Sequence, residues 1–207
     1  MTRPIRSLLI VAGAYVAAQM MSDVASLRVI SIAGNAVDAG TLIYPFTFTL
    51  RDLVHKISGK TAARTVIVLA AGINVLMAGF FWLVARLPPD PLTGPQLEFG
   101  TVLSPVWGIV VASIAAEVLA ELIDTEVYQR WELRFGQRHQ WGRVLASNAV
   151  AIPVDSAVFV GLATMFGIFP SEVAWSIFWV NVVLTGVVTV VSIPWIYWVR
   201  PEPLTTT

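Results

Sequence analysis

Six times along this chain a run of roughly twenty residues passes with few charges, long enough in each case to cross the hydrocarbon of a bilayer as a helix. No other feature limits the fold so strongly. Backbone N–H and C=O groups in hydrocarbon must be satisfied internally, so lipid-crossing segments of this continuity are helices. Composition agrees: the 207 residues are 57% apolar and 13% charged, against about 25% charged for an ordinary soluble domain. The sequence therefore specifies an all-α polytopic membrane protein with six transmembrane helices, forming a single transmembrane domain over residues 1–207.

In chain order the helices are expected at about Ser7 to Leu27, Thr41 to Ser58, Thr65 to Ala85, Val102 to Trp131, Val144 to Phe166 and Val173 to Val199. Arg28 to Gly40 reads as a polar loop, and Arg86 to Gly100, dense in Pro and Gly, as an extramembrane turn region. Gly13, Ala14, Ala17 and Ala18 give the first helix a small-residue face that allows close helix approach, expected to pack inside the protein or else to dock a partner. Gly72, Asn74 and Ala78 are the expected interhelical contacts of the third helix, and Pro153 interrupts the fifth. Trp175 and Trp179 at one end of the last helix, with Trp195, Tyr197 and Trp198 at the other, read as interfacial belts.

Orientation follows from the cations. With the N-terminus inside, Arg3, Arg6, Lys56, Lys60, Arg64, Arg130, Arg134, Arg138, Arg143 and Arg200 fall on cytoplasmic segments, and only Arg28 and Arg86 lie outside. The positive-inside rule then predicts both termini in the cytoplasm and a multi-pass protein of the cytoplasmic membrane. The formal net charge is +0 and no basic run exists, so nucleic acid is not a partner. The expected partners are the lipid bilayer, a small molecule, and a homo-oligomer or another membrane protein.

The chemistry is expected where ionisable groups enter apolar segments, because each costs several kcal/mol there unless paired or facing a wet cavity. Arg51 and Asp52 do so in the second helix. Glu117, Glu121 and Asp124 stand at i, i+4 and i+7 on the fourth, one above another on a single face. In the fifth, Asn148 and Asp155 share a face beside Pro153. Phe48 and Trp107 are candidate stacking rings. Other chemistries fail on the sequence: Gly59-Lys60-Thr61 ends like a phosphate loop, but Val54 stands where its first Gly is required. His55 and His139 are too far apart for a metal motif, no Cys is present to supply a thiolate, and no GxSxG or HExxH occurs. Neither a cofactor nor an enzymatic activity is expected.

The run Tyr44-Pro45, Phe48, Asp52, Gly59, Ala63-Arg64, then Ala112-Ser113 with Asp124 and Tyr128, then Ser147, Asp155-Ser156 and Phe159, and finally Pro194 with Tyr197, resembles the VUT family of queuosine-precursor transporters. The resemblance implies a standalone importer, similar in fold to the substrate-binding subunits of energy-coupling-factor vitamin transporters. It also implies a deazapurine substrate, 7-cyano- or 7-aminomethyl-7-deazaguanine. The chain departs from that pattern in having Arg51 where Thr is common, Lys56 where Glu is common, and Glu117 and Glu121 where Tyr and Gln are common. It also lacks the Lys often found near Leu184 or Thr185. The other readings are a binding subunit that needs a separate energising complex, and an intramembrane enzyme acting on lipid.

Overall fold

In the computed structural model the chain is described over residues 3–135 and 140–198, with the side chains of some positions, among them Asp52, Glu121 and Asp124, outside that description. Helix α1 (Arg3–Ala25) leads into a hairpin of β1 (Val29–Ile32) and β2 (Asn35–Asp38), followed by a 3-10 turn, Ala39–Leu42. Then come α2 (Tyr44–Val84), the short α3 (Leu97–Leu103), α4 (Val106–Phe135), α5 (Gln140–Met165) and α6 (Ser171–Trp198). Among the described residues, five helical stretches have the length and apolarity to cross a membrane: Ile5–Ala25, Thr61–Val84, Leu97–Ala120, Leu145–Met165 and Ser171–Ser192. This is a mostly helical, multi-pass membrane protein.

Burial is inverted relative to a soluble fold. Val68, Leu76, Phe80, Val183 and Val191 are exposed, while Gln19, Asp23, Asn74, Asp155, Asn181 and Thr185 are buried. Hydrocarbon accepts the first set without cost, and the second set finds partners only between helices. Two apolar clusters complete the packing. Ile109, Val160, Ala163, Phe169 and Ile177 join α4, α5 and α6, and Met77, Ala78, Val106 and Val110 join α2 to α4, with Met20 and Val24 of α1 against them.

Four expectations are corrected. The fold is not purely α: the loop expected over residues 28–40 holds the hairpin, paired Val29 with Asp38 through Ile32 with Asn35. Its two central residues, Ala33 and Gly34, have φ of 51° and 81°, the positive values that a two-residue turn needs to match strand twist. Val37 is buried, and Ser176 Oγ donates to the Ala36 carbonyl at 3.0 Å, so α6 holds the hairpin down.

Second, the expected fourth helix begins earlier, at Leu97, and breaks at Ser104-Pro105, where proline has no N–H to continue the ladder. Third, α5 is not interrupted: it runs through Pro153, because the lost hydrogen bond is one among many and lipid offers the backbone no alternative partner. Fourth, Gly13, Ala14 and Ala17 face outward, and only Ala18 of that set is buried. The inward side of α1 is taken by a polar stripe, Tyr15, Gln19, Ser22, Asp23 and Ser26. Asn74 and Ala78 are buried as expected, but Gly72 is exposed.

The expected second and third helices run together as α2, bent at Gly59, whose φ of 80° and ψ of 177° belong to a region that only glycine occupies readily. The segment before the bend, residues 44–58, is about 22 Å long at 1.5 Å per residue. It is not among the five crossing candidates. Trp175 and Trp179 are exposed at the start of α6, as a belt requires, and the side chains of residues 195–198 lie outside the described set, as do those of Lys56 and Lys60.

Candidate functional site

Four helices bring side chains to one cavity, lined by Tyr15, Tyr44, Thr47, Phe48, Arg51, Glu117, Ala120 and Asp155. Helical spacing explains the convergence. Tyr44, Thr47, Phe48 and Arg51 stand at i, i+3, i+4 and i+7, a single stripe on the first segment of α2, and Glu117 and Ala120 are neighbours on α4. Pro45, in the first turn of α2, costs no intrahelical bond, so the stripe starts without distortion.

Two tyrosine–carboxylate pairs form the polar part. Tyr44 Oη donates to Asp155 Oδ1 at 3.1 Å. Tyr15 Oη donates to Glu117 Oε1, and Gln19 Nε2 donates both to Tyr15 Oη at 3.2 Å and to Glu117 Oε2 at 3.3 Å. Thr47 Oγ1 is turned back onto the Tyr44 carbonyl at 2.7 Å. The aromatic part is Tyr44 edge-on to Phe48, with centroids 5.5 Å apart and planes at 86°. The Arg51 guanidinium carbon lies 5.3 Å from the Phe48 centroid, a cation–π contact, and close enough to act electrostatically on Asp155. Asp155 is only 4% exposed and Phe48 8%.

Of the residues expected at a site, Phe48, Arg51, Glu117 and Asp155 meet in this cavity. Asn148 is buried on α5, two turns from Asp155, and does not line it. Trp107 lies elsewhere: it is half exposed near the start of α4, its ring 5.2 Å from that of Phe166, and about 15 Å along the helix from Glu117. The side chains of Asp52, Glu121 and Asp124 lie outside the described residues. Beyond them on α4, Glu126 and Arg130 form an exposed i, i+4 ion pair at 2.9 Å, as expected for a helix end in water. Tyr15, Tyr44, Thr47 and Gln19 were not foreseen. For Tyr15 and Gln19 the signal was faint: polar residues at i, i+4, i+7, i+8 and i+11 along α1, hidden beneath a more conspicuous run of small residues.

Among the described lining residues two carboxylates meet one guanidinium beside two phenols and a phenyl ring. Such a set presents acceptors, donors and flat apolar faces at once, suited to a planar polar heterocycle. The cavity volume is about 10 Å³, roughly the room for a single water. A larger guest enters only when side chains move apart.

No curated protein and no solved structure matches the chain. A family model does match, over residues 38–199, a stretch that includes the hairpin's last residue, the whole α2 stripe, Glu117 and Asp155. Through that match the chain belongs to the family described as "Putative vitamin uptake transporter".

Proposed function

We propose that this protein imports a queuosine precursor, 7-cyano- or 7-aminomethyl-7-deazaguanine, across the cytoplasmic membrane. The observation that carries the reading is the meeting of Asp155 and Glu117 with Arg51, Phe48 and two tyrosines in one cavity. A deazaguanine edge presents adjacent N–H donors, and a carboxylate is an acceptor that receives two of them. In this reading the substrate's N–H groups displace the Tyr44 hydroxyl from Asp155. Arg51 meets the substrate's carbonyl or cyano group, and Phe48 stacks on the ring. The small cavity is then a closed state, and transport alternates it with opened ones.

The topology that goes with this reading has six crossings and both termini in the cytoplasm. The helix over residues 44–58 counts as the second crossing, shorter than the bilayer and closed by Lys56, Lys60 and Arg64 at the cytoplasmic face.

The test is complementation. Cells that neither make nor import queuosine precursors are given this chain, fed each precursor at nanomolar concentration, and assayed for modified tRNA. The expected result is restored modification with the wild-type chain and its loss with Asp155→Asn at equal membrane expression. Full uptake by Asp155→Asn would remove Asp155 from the site.

A second reading is favoured by the outward-facing Gly13, Ala14 and Ala17, beside which a Cβ added at Gly13 would meet no atom within 4 Å. In that reading this surface docks an energising partner and the chain is the binding subunit. Uptake by the chain alone in a foreign host would exclude it.

A further inference from the structure

Beyond the cavity, α1 and α4 are joined by two polar rungs. Gln19 reaches Glu117 at 3.3 Å, and one turn along, Ser113 Oγ donates to Asp23 Oδ1 at 2.8 Å. The spacing is regular: Gln19 and Asp23 are i, i+4 on α1, and Ser113 and Glu117 are i, i+4 on α4, so the two helices face each other over two consecutive turns. Gln19 is 3% exposed and Asp23 2%. One oxygen of each, Gln19 Oε1 and Asp23 Oδ2, is buried with no hydrogen-bond donor among the described residues.

Both orphaned atoms are acceptors, and the shortage is therefore one of positive charge or of donors. Among the described residues, the charged groups that act on Asp23 from the elements packed around it are Glu117 of α4 and Asp38 at the end of β2, both acids. Arg51 of α2 reaches the Tyr15 end of the ladder and the cavity. A carboxylate inside a membrane helix bundle, with one oxygen unmatched and acids around it, is expensive. A small cation on those oxygens removes the expense.

We propose that Gln19, Asp23, Ser113 and Glu117 form a binding site for a small monovalent cation, H⁺ or Na⁺. The site abuts the cavity through shared residues: Glu117 lines both, and Gln19 and Tyr15 bridge them. Cation occupancy therefore changes the partners available to Glu117, and with the transport reading above this makes the ladder the coupling site. The binding itself does not depend on that reading.

The test uses the purified full-length chain in detergent with no substrate, so its result stands apart from the complementation result. Thermal unfolding is followed by fluorescence of the 8 tryptophans, at fixed ionic strength, as choline is replaced by Na⁺ and as pH is varied. A ligand of the folded state raises the midpoint with its concentration. A rise with Na⁺ at constant pH identifies Na⁺; a dependence on pH unaffected by Na⁺ identifies H⁺. In either case Asp23→Asn, which supplies an N–H of the same shape in place of the orphaned oxygen, removes the part that Asp23 supplies: the Na⁺ response is lost, or the pH response becomes less steep than in the wild type. Ser113→Ala keeps the acid, removes its hydroxyl partner, and displaces the dependence along its concentration axis by roughly tenfold. Identical Na⁺ and pH responses in wild type and Asp23→Asn would overturn the proposal. Should Asp23→Asn not fold, an undisplaced response in Ser113→Ala would overturn it equally.

Discussion

At the scale of single residues, the cavity's carboxylates are held by phenols, and Glu117 is the one that both the cavity and the α1–α4 ladder use. Glu117→Gln keeps the shape and removes the charge. A hydrogen bond to a charged group is worth about 1.5–3 kcal/mol, so KM for uptake should rise by roughly tenfold to a hundredfold while membrane expression is kept. Unchanged uptake and substrate ranking would make Glu117 a packing residue.

Asp38 gives a prediction in pH. Burial pushes its carboxyl from 3.8 up to about 6, although hydrogen bonds from the Gly40 N–H and the Ser26 and Thr41 hydroxyls pull the other way. A raised folded-state value means that the folded chain binds the extra proton. The contribution of Asp38 to stability is then fully present below about pH 4 and is lost as pH rises through about 6. Asp38→Asn keeps an oxygen for the Gly40 N–H, 2.8 Å away in the native chain. Unfolding midpoints measured between pH 4 and 7 should fall less steeply in that variant than in the wild type; parallel curves would contradict the assignment.

At the scale of elements, the bend at Gly59 sets where the α2 stripe points. The polar stripe before it faces the cavity, and the apolar segment after it faces lipid through Val68 and Leu76. Gly59→Ala meets no steric obstacle, since no atom lies within 4 Å of an added Cβ, so its cost is purely that of the backbone. About 1–3 kcal/mol is expected for such a conformation, read as a lowered unfolding midpoint. Gly72→Ala, at a helical glycine with equally open space, should be neutral or stabilising by up to about 1 kcal/mol. Equal effects at the two positions would show that the bend is not held at Gly59. Pro153, by contrast, looks in the sequence like a break and is not one: α5 runs through it and packs against both α4 and α6.

At the scale of the whole molecule, the chain's lack of cysteine makes topology directly measurable. Single cysteines placed at Thr2, Thr61 and Thr207 should be shielded from an impermeant maleimide in intact cells, and one at Asn35, in the hairpin, should be labelled. Labelling at Thr61 would place the helix over residues 44–58 on one side of the membrane and reduce the crossings to five.

The sequence by itself determined the multi-pass helical class, the places where charge enters apolar segments, and four of the residues that line the cavity: Phe48, Arg51, Glu117 and Asp155. It could do so because hydropathy and helical periodicity are local, and because an ionisable side chain in hydrocarbon is costly wherever the helix lies. Tertiary structure alone decided that α1 turns its small residues outward and its Tyr15–Gln19–Asp23 stripe inward. It alone decided that Tyr44 caps Asp155, that Trp107 belongs with Phe166, and that residues 29–38 form a hairpin under α6. The physical reason is the same in each case. Which face of a helix is buried, and which donor meets which acceptor, depends on the partner helix across the gap, and that partner lies a hundred or more residues away for Tyr15 and Tyr44.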